Sequence, residues 1–331
     1  MPTFSYLALA SDSGSPHINI YDTGVWGRLD TSGVTPGDSM GVAFSKDGAL
    51  MAVAHLISPR VSIYNTADWT KLANPSVLPT GTGRAVAFNP SGTLLAVGND
   101  GATRLTLYNT ADWTKLANPP SLPTAQVSGV AFNHDGSLLA ISFYASPYVR
   151  IYNTADWSVV PNPSSLPAGN CEGVAFNHDG SLLALAHVNA PRLTVYETDT
   201  WTKLASPDIA PAGTSSLSVA FNGDGSRLAV GHSSSPFVSI YDTMTWTKLA
   251  NPAVLPSSAG RSVAFDETGG LLAVAHTNSP GVTVYNTEDW EKLADPAILP
   301  GTWQKSVTFS KDYVLPGEAF WDNRVRSFEV I

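Results

Sequence analysis

Four of the seven histidines stand at equivalent places in the chain, each closing an apolar run such as L-M-A-V-A or L-L-A-V-A. They are His55, His187, His232 and His276. Imidazole titrates near neutral pH and binds transition metals, so a ring of these side chains would suit a metal ion or a proton. No H-E-x-x-H pattern or Cys/His cluster accompanies them, however. Because repeat-related positions lie too far apart to share one ion, we predict hydrogen bonds to nearby loops, and no metal or cofactor.

Two further histidines precede an aspartate, and a His-Asp pair could act in acid-base catalysis. They are His134-Asp135 and His178-Asp179, each inside an N-H-D-G segment. The corresponding segments elsewhere carry Lys46-Asp47, Pro90-Ser91 and Gly223-Asp224. Such free exchange is typical of turn residues, so we predict solvated turns and no catalytic residue. The single cysteine, Cys171, has no basic neighbour in sequence that would lower its pKa, and we predict a small structural residue there.

These residues belong to a repeat. The tripeptide V-A-F, once V-T-F, recurs at intervals of 44 or 45 residues, and a tryptophan recurs with nearly the same step. The tripeptides begin at Val42, Val86, Val130, Val174, Val219, Val263 and Val307, and the tryptophans are Trp26, Trp69, Trp113, Trp157, Trp201, Trp246 and Trp290. Two independent markers agree on the period, which identifies an array of seven similar units.

The sequence of each unit predicts four short antiparallel strands. The first ends in V-A-F, and a turn of the N-x-D-G type leads to the second, with Gly free to take a positive φ. The third strand alternates apolar and polar residues, as in V-S-I-Y, and ends at a Tyr. A turn such as N-T-A-D, whose Asp caps it, leads to a fourth strand at the Trp. No segment shows a helical period.

Repeated four-stranded units predict an all-β, seven-bladed β-propeller, an architecture that hides sheet edges by packing blades around an axis. The V-A-F-(N/S)-x-(D/S)-G-x-L-L-A pattern resembles WD-repeat and Y-V-T-N-type propeller repeats over almost the whole chain. The chain departs from the WD pattern, since Tyr64-Asn65 and its equivalents replace Trp-Asp and no Gly-His pair precedes the first strand.

The first unit lacks its first strand, because the segment from Tyr6 to Ala10 matches a second strand. The segment from Ser306 to Phe309 offers the missing strand, so we predict that it closes the ring by pairing with the N-terminal blade. Residues 1–331 then form one domain, with 313–331 as an added strand or extension. A ring of eight blades, two of them incomplete, is the alternative.

Two positions in each unit are predicted to serve the scaffold. The repeated Trp packs between blades in our interpretation, although such a row could also stack sugars or bases. Pairs of prolines follow the fourth strand in six units, from Pro75 and Pro79 to Pro296 and Pro300. Because Pro cannot donate to a ladder, we predict that they guard an outer sheet edge.

Comparison of the units with one another separates scaffold from variable surface. The residue two before each V-A-F or V-T-F varies between units, and so do the loops between second and third strands. Both sets open on one face, because adjacent strands run antiparallel, and variable loops on a scaffold are typical of binding. The predicted binding face comprises Arg84, Tyr144, Tyr148, Glu172, Phe237, Arg261 and Lys305.

Composition limits the partners. The formal net charge is -9, from 18 Lys and Arg against 27 Asp and Glu, and only 14% of residues are charged. Nucleic acids and anionic lipids select clustered basic residues, so neither is a predicted partner. The N-terminus lacks the basic start of a secretory signal and no apolar stretch is long enough to cross a bilayer, so we expect synthesis in the cytoplasm without membrane insertion.

The ionisable residues do not converge on one pocket, so we predict that the chain is not an enzyme. The resemblance extends to repeat propellers of bacteriophage virions and of bacterial interaction proteins. It implies a virion structural or attachment component that binds another protein or a surface glycan. The alternatives are an intracellular bacterial scaffold and a lactonase-like hydrolase whose metal would depend on the four histidines and Glu172. The oligomeric state stays open.

Overall fold

A computed structural model describes residues 5–13, 15–30, 34 and 37–311. Within these ranges the regular structure is entirely β, with no helix, and therefore no helix that could span a membrane. The strands are β1 (Tyr6–Ser11), β2 (Ile18–Asp22), β3 (Gly27–Arg28), β4 (Ser39–Phe44), β5 (Leu50–His55), β6 (Val61–Asn65), β7 (Gly83–Phe88), β8 (Leu94–Asn99), β9 (Leu105–Asn109), β10 (Val127–Phe132), β11 (Leu138–Phe143), β12 (Val149–Asn153), β13 (Cys171–Phe176), β14 (Leu182–His187), β15 (Leu193–Glu197), β16 (Thr202–Lys203), β17 (Ser216–Phe221), β18 (Arg227–His232), β19 (Val238–Asp242), β20 (Gly260–Phe265), β21 (Leu271–His276), β22 (Val282–Asn286) and β23 (Gln304–Phe309).

These strands form seven antiparallel sheets. In chain order the sheets are β23-β1-β2-β3, β4-β5-β6, β7-β8-β9, β10-β11-β12, β13-β14-β15-β16, β17-β18-β19 and β20-β21-β22. The first strand of each sheet contacts the first strand of the next, from β4 through β7, β10, β13, β17 and β20 to β23, and β23 contacts β4. Seven antiparallel sheets in this order are consistent with the expected β-propeller.

The C-terminal strand completes the N-terminal sheet, as the sequence predicts. β23 pairs with β1 in antiparallel register, with Leu7 opposite Phe309 and Leu9 opposite Val307. The β1 edge that the truncated first unit leaves open is thereby covered. The extension predicted over 313–331 lies outside the described residues, so its role stays a prediction.

The predicted fourth strand is largely wrong. Only the first and fifth sheets have one, β3 and β16, each two residues long. In the other five sheets a single bridge takes its place, such as Tyr64 with Lys71. The reason lies at the repeated Trp, which has a positive φ in all seven units, for example 58° at Trp69. A left-handed residue breaks the extended backbone, so the Trp itself is outside any strand. Pairing begins one residue after it in the first and fifth sheets and two residues after it in the other five.

The same Trp confirms the prediction that it packs between sheets. Each of the seven apolar clusters combines buried residues of two neighbouring sheets, and one repeated Trp packs against each. Trp69, for instance, meets Tyr6 of the first sheet edge to face, with 5.2 Å between ring centroids. Edge-to-face aromatic pairs of this kind add to the burial of apolar area.

The Tyr at the end of each third strand connects neighbouring sheets. All seven are fully buried. Six donate a hydrogen bond from the hydroxyl group to a backbone carbonyl in the proline-containing loop that leads from the preceding sheet into their own. The pairs are Tyr21–Ile298, Tyr108–Val77, Tyr152–Ser121, Tyr196–Ser165, Tyr241–Ile209 and Tyr285–Val254, at 2.6 to 2.9 Å. The Tyr21 bond joins the two ends of the array with the same contact that joins internal neighbours.

The paired prolines do not guard a sheet edge, so that prediction is wrong. All twelve are buried, and they bracket the loop that receives the tyrosine hydroxyl. Pro75 and Pro79, for example, lie on either side of Val77. Because the ring of Pro fixes φ, two buried prolines and one hydrogen bond hold each loop in a single shape.

The pairing of β23 with β1 generates a test of closure. A chain that lacks residues 302–331 should lose its single cooperative unfolding transition, because β1 then exposes an unpaired edge and the first cluster loses Val307 and Phe309. Thermal unfolding followed by circular dichroism measures this. A chain ending at Lys311 keeps β23 and is the control. Equally sharp transitions in the control and in the shorter chain would contradict the role of β23.

Candidate functional site

A β-bulge occurs at the same place in every sheet. The register between the first and second strands shifts by one residue, which leaves one residue of the first strand without a partner. These residues, here called the bulge ring, are Met40, Arg84, Ser128, Glu172, Leu217, Arg261 and Lys305. A bulge re-aims the side chain of its extra residue. All seven line one cavity of about 400 Å³, here called the bulge cavity.

The residue after each bulge is small, and close packing explains why. At Gly41 an added Cβ would lie 3.0 Å from the Arg84 carbonyl oxygen, and at Gly173 it would lie 3.0 Å from Ser218 Cα. Where Ser stands at this position it joins neighbouring first strands, because the Val263 N–H donates to Ser218 Oγ at 3.2 Å. The first strands are therefore in close contact, and variable side chains enter the interior only at the bulges.

Four charged residues of the predicted binding face come together in the bulge ring. Arg84 pairs with Asp100 at 3.3 Å, and Lys305 pairs with Asp12 at 3.0 Å. Glu172 accepts a hydrogen bond from the Tyr144 hydroxyl. Arg261 makes no ion pair or hydrogen bond through its side chain within the described residues, and its Nε is buried without a partner there.

The electrostatics of the bulge cavity centre on Glu172. Burial raises the pKa of Glu172 above its ordinary value, and the hydrogen bond from Tyr144 and the charges of Arg261 and Arg84 oppose this rise only in part. The two guanidinium groups therefore act on this carboxyl although neither contacts it. The cavity combines one hydrogen-bonded acid with three cations.

The remaining residues of the predicted binding face lie elsewhere. Tyr144, Tyr148 and Phe237 are not among the residues that line the cavity. Tyr144 contacts one lining residue, Glu172, through its hydroxyl. All three are half-buried. Tyr148 and Phe237 follow a Pro in the loops after the second strand and have φ of 69° and 68°. Whether any of the seven residues binds a partner stays a prediction.

The four repeat-related histidines do not come together. Each is fully buried at the end of its second strand, and its Nε2 lies 3.0 Å from a hydroxyl of the adjacent third strand. The pairs are His55–Ser62, His187–Thr194, His232–Ser239 and His276–Thr283. Burial lowers the pKa of His55, His187 and His232 to about 4 and also lowers that of His276. The predicted loop contact is present at His276, whose Nδ1 lies 2.9 Å from the Asn278 carbonyl oxygen.

A second cavity, of about 350 Å³, lies at the other end of the first strands and is lined by phenylalanines and turn residues. His134 and His178 lie there, with 4.3 Å between ring centroids. Both stand in turns, as predicted, and Asp135 accepts a hydrogen bond from the Ser137 N–H at 2.8 Å. The Asp135 carboxylate therefore caps its own turn. The Asp before the repeated Trp caps its turn in the same way, since Asp68 accepts a hydrogen bond from the Thr70 N–H.

No group of three or more His, Cys, Asp or Glu side chains within the described residues is arranged to hold a metal ion. Cys171 is fully buried, and burial raises the pKa of its thiol. The thiolate is the reactive form of cysteine, so this environment disfavours nucleophilic chemistry at Cys171.

Sequence reasoning identified the variable residues of the bulge ring and placed them on one face together with the loops, but did not predict that they line a cavity. It missed the bulge, which is a property of two paired strands. One signal was present in the sequence: a Gly, Ala or Ser always separates the variable residue from V-A-F or V-T-F, as at Ala85 and Ser262. An invariably small neighbour indicates a backbone in close contact with another chain segment.

Comparisons with known proteins find no match, either among protein-family models or among curated proteins.

The buried histidines predict a specific acid sensitivity. With a pKa of about 4 in the folded chain and an ordinary value near 6.5 when unfolded, His187 favours the unfolded state increasingly as pH falls from 6.5 towards 4. At pH 4.5 this costs about 2 to 3 kcal/mol. The variant His187→Asn copies Asn99, whose side-chain amide donates to Thr106 Oγ1 at 3.4 Å in the third sheet. Between pH 7 and 4.5 it should lose about that much less unfolding free energy than the wild type.

Urea unfolding at a series of pH values measures the effect, and the difference between the two proteins cancels the contribution of other titrating groups. His178→Asn, at an exposed turn position, is the control and should follow the wild type. Parallel curves for wild type and His187→Asn would show that the buried imidazole does not set the acid response.

Proposed function

We propose that the chain is a non-catalytic, seven-bladed β-propeller of the WD-like kind that binds another protein. Support for the architecture comes from the circle of contacts among first strands and from the β23–β1 pairing. Further support comes from Ser306 Oγ, which accepts the Val42 N–H at 3.4 Å where the last unit meets the second sheet. The same serine contact joins Ser218 to Val263 and Ser262 to Val307 between internal sheets.

The observation that carries the binding function is a set of exposed aliphatic side chains on the proline-bracketed loops. The residue whose carbonyl accepts the tyrosine hydroxyl bears an exposed aliphatic side chain in four loops: Val77 (50% exposed), Ile209 (56%), Val254 (52%) and Ile298 (52%). Leu255 and Leu299 beside them are also exposed. The same position holds Ser121 and Ser165 in two other loops, so the scaffold does not require an apolar residue there.

The loops that carry these side chains are held rigidly. Their backbone is fixed by two buried prolines and by the tyrosine hydroxyl, so little conformational entropy remains to be lost when a partner binds. Exposed apolar side chains on a preorganised surface are typical of protein interfaces. Ile209, Val254 and Ile298 come from consecutive units, which concentrates the apolar side chains on one part of the ring.

We propose a bacteriophage virion as the setting, with the chain made in the cytoplasm and used as a structural or attachment component. The supporting features are a fold in which the single cysteine is buried and unpaired, a surface poor in charge, and nearly identical units. A surface glycan as the bound partner, and an intracellular bacterial scaffold as the setting, are the alternatives to be tested. The lactonase-like hydrolase receives no support from the histidines, because each is engaged within its own sheet.

The setting is tested by mass spectrometry of purified phage particles. The chain should be present at a fixed ratio to the coat proteins after density-gradient purification. Its recovery only in the extract of uninfected cells would reject the virion setting and favour the intracellular scaffold.

The apolar loops are tested by the triple variant Ile209→Ser, Val254→Ser and Ile298→Ser, which copies the serines of the chain's own loops. It should fold as the wild type does, because the side chains are exposed, and should lose most of the protein partner that co-purifies with the wild type. Met244→Ser, at a turn residue that is 92% exposed, is the control. Equal partner recovery by the triple variant and the control would show that the aliphatic side chains are not the contact.

A further inference from the structure

We propose that the bulge cavity is a binding site for a small molecule that carries a carboxylate at one end and a hydrogen-bond donor at the other. The carboxylate would bind to Arg261 and Arg84, and the donor to Glu172. This site differs from the apolar loops of the proposed function in its residues, its position and its ligand class, and the inference does not depend on that function.

The order of sheets places one arginine on either flank of Glu172 and a lysine across from it. Counting around the ring of seven, Arg84 stands two sheets from Glu172 in one direction and Arg261 stands two sheets from it in the other. Lys305 adjoins Arg261 in this order and lies three sheets from Glu172. The single acid therefore shares the cavity with three cations that enter from other sheets. A ligand with one anionic end and one donating end matches this polarity.

The three cations of the cavity differ in the ion pairs and hydrogen bonds that they make with other residues. Asp100 pairs with Arg84, and Asp12 pairs with Lys305, whose ammonium also lies 5.4 Å from the Trp303 ring centroid. Arg261 has no such partner among the described residues, and the Nε atoms of Arg261 and Arg84 are buried without a hydrogen bond. Unmade hydrogen bonds on a buried guanidinium cost free energy, and a bidentate carboxylate would supply them.

Glu172 is held ready to accept a second hydrogen bond. One of its oxygens, Oε2, accepts a hydrogen bond from the Tyr144 hydroxyl, which fixes the orientation of the carboxyl group. The other oxygen receives no bond from any described residue. Burial disfavours the charged form of Glu172, and a hydrogen bond from a donor on the ligand would favour it, as the bond from Tyr144 already does.

The size of the cavity favours a small ligand. A volume of about 400 Å³ lies in the lower part of the range of small-molecule sites. Val86, Val130 and Val263 are among the lining residues, but most of the exposed lining is polar, so the ligand would be held mainly through its two polar ends.

Isothermal titration calorimetry with two matched probes tests the proposal. The first probe is 6-aminohexanoate, which has a carboxylate and an ammonium group, and the second is hexanoate, which has the carboxylate alone. The wild type should bind both, with 6-aminohexanoate bound more tightly. Arg261→Gln should weaken both by about tenfold or more, because a charge-assisted hydrogen bond is lost. Glu172→Gln should remove only the difference between the two probes.

The variant Lys46→Gln is the matched control, since this cation lines the cavity at the other end of the first strands. It should bind both probes as the wild type does. Thermal unfolding of each variant confirms that it is folded, and Arg84→Gln provides a second variant if Arg261→Gln unfolds. Absence of saturable binding by the wild type, or unchanged binding by both arginine variants, would overturn the proposal. Neither result bears on the serine variants of the apolar loops.

Discussion

The close contact between the first strands of neighbouring sheets is the constraint on which the structure depends. Gly41 and Gly173 have no room for a larger side chain, and Ser218 uses its hydroxyl to join two strands. The paired position next to each bulge is therefore limited to Gly, Ala or Ser, so no large side chain reaches the cavity from there. The β-bulge resolves the conflict, because it adds one residue that is free of the ladder and can project inwards.

The same constraint explains why the ends of the chain must meet. Each apolar cluster requires two sheets, so an open array would leave one face of its first and last sheets exposed to water. Three internal contacts recur at the joint between the ends: a strand pair from β1 to β23, a tyrosine bond from Tyr21 to Ile298, and a serine bond from Ser306 to Val42. Closure thus needs no structure that the repeat does not already contain.

Much of this fold could be predicted from the sequence, because its period, its turn glycines and its alternating third strands are local signals. Gly48 and Gly136 have the positive φ that their turns require, and the tryptophans pack between sheets. The positive φ of Trp69 could not be predicted, since tryptophan has no local preference for that conformation. The candidate site was only half predictable. Variation between the repeat units singled out Arg84 and Glu172. That both line one cavity depends on the register shift between the first and second strands of each sheet, which the sequence does not reveal.

The bulge also allows the residues that line the cavity to differ from the residues that form the apolar clusters. A residue at a bulge has no partner in the ladder, and its side chain stands outside the seven apolar clusters, so residues as different as Met40, Ser128 and Arg261 occupy this position in different units. The buried positions around them, such as the third-strand tyrosines, do not vary in the same way. Substitution can therefore change the charge pattern of the cavity one residue at a time. The convergence of one acid and three cations on a single cavity is not required by folding, and the proposed ligand provides a physical reason for it.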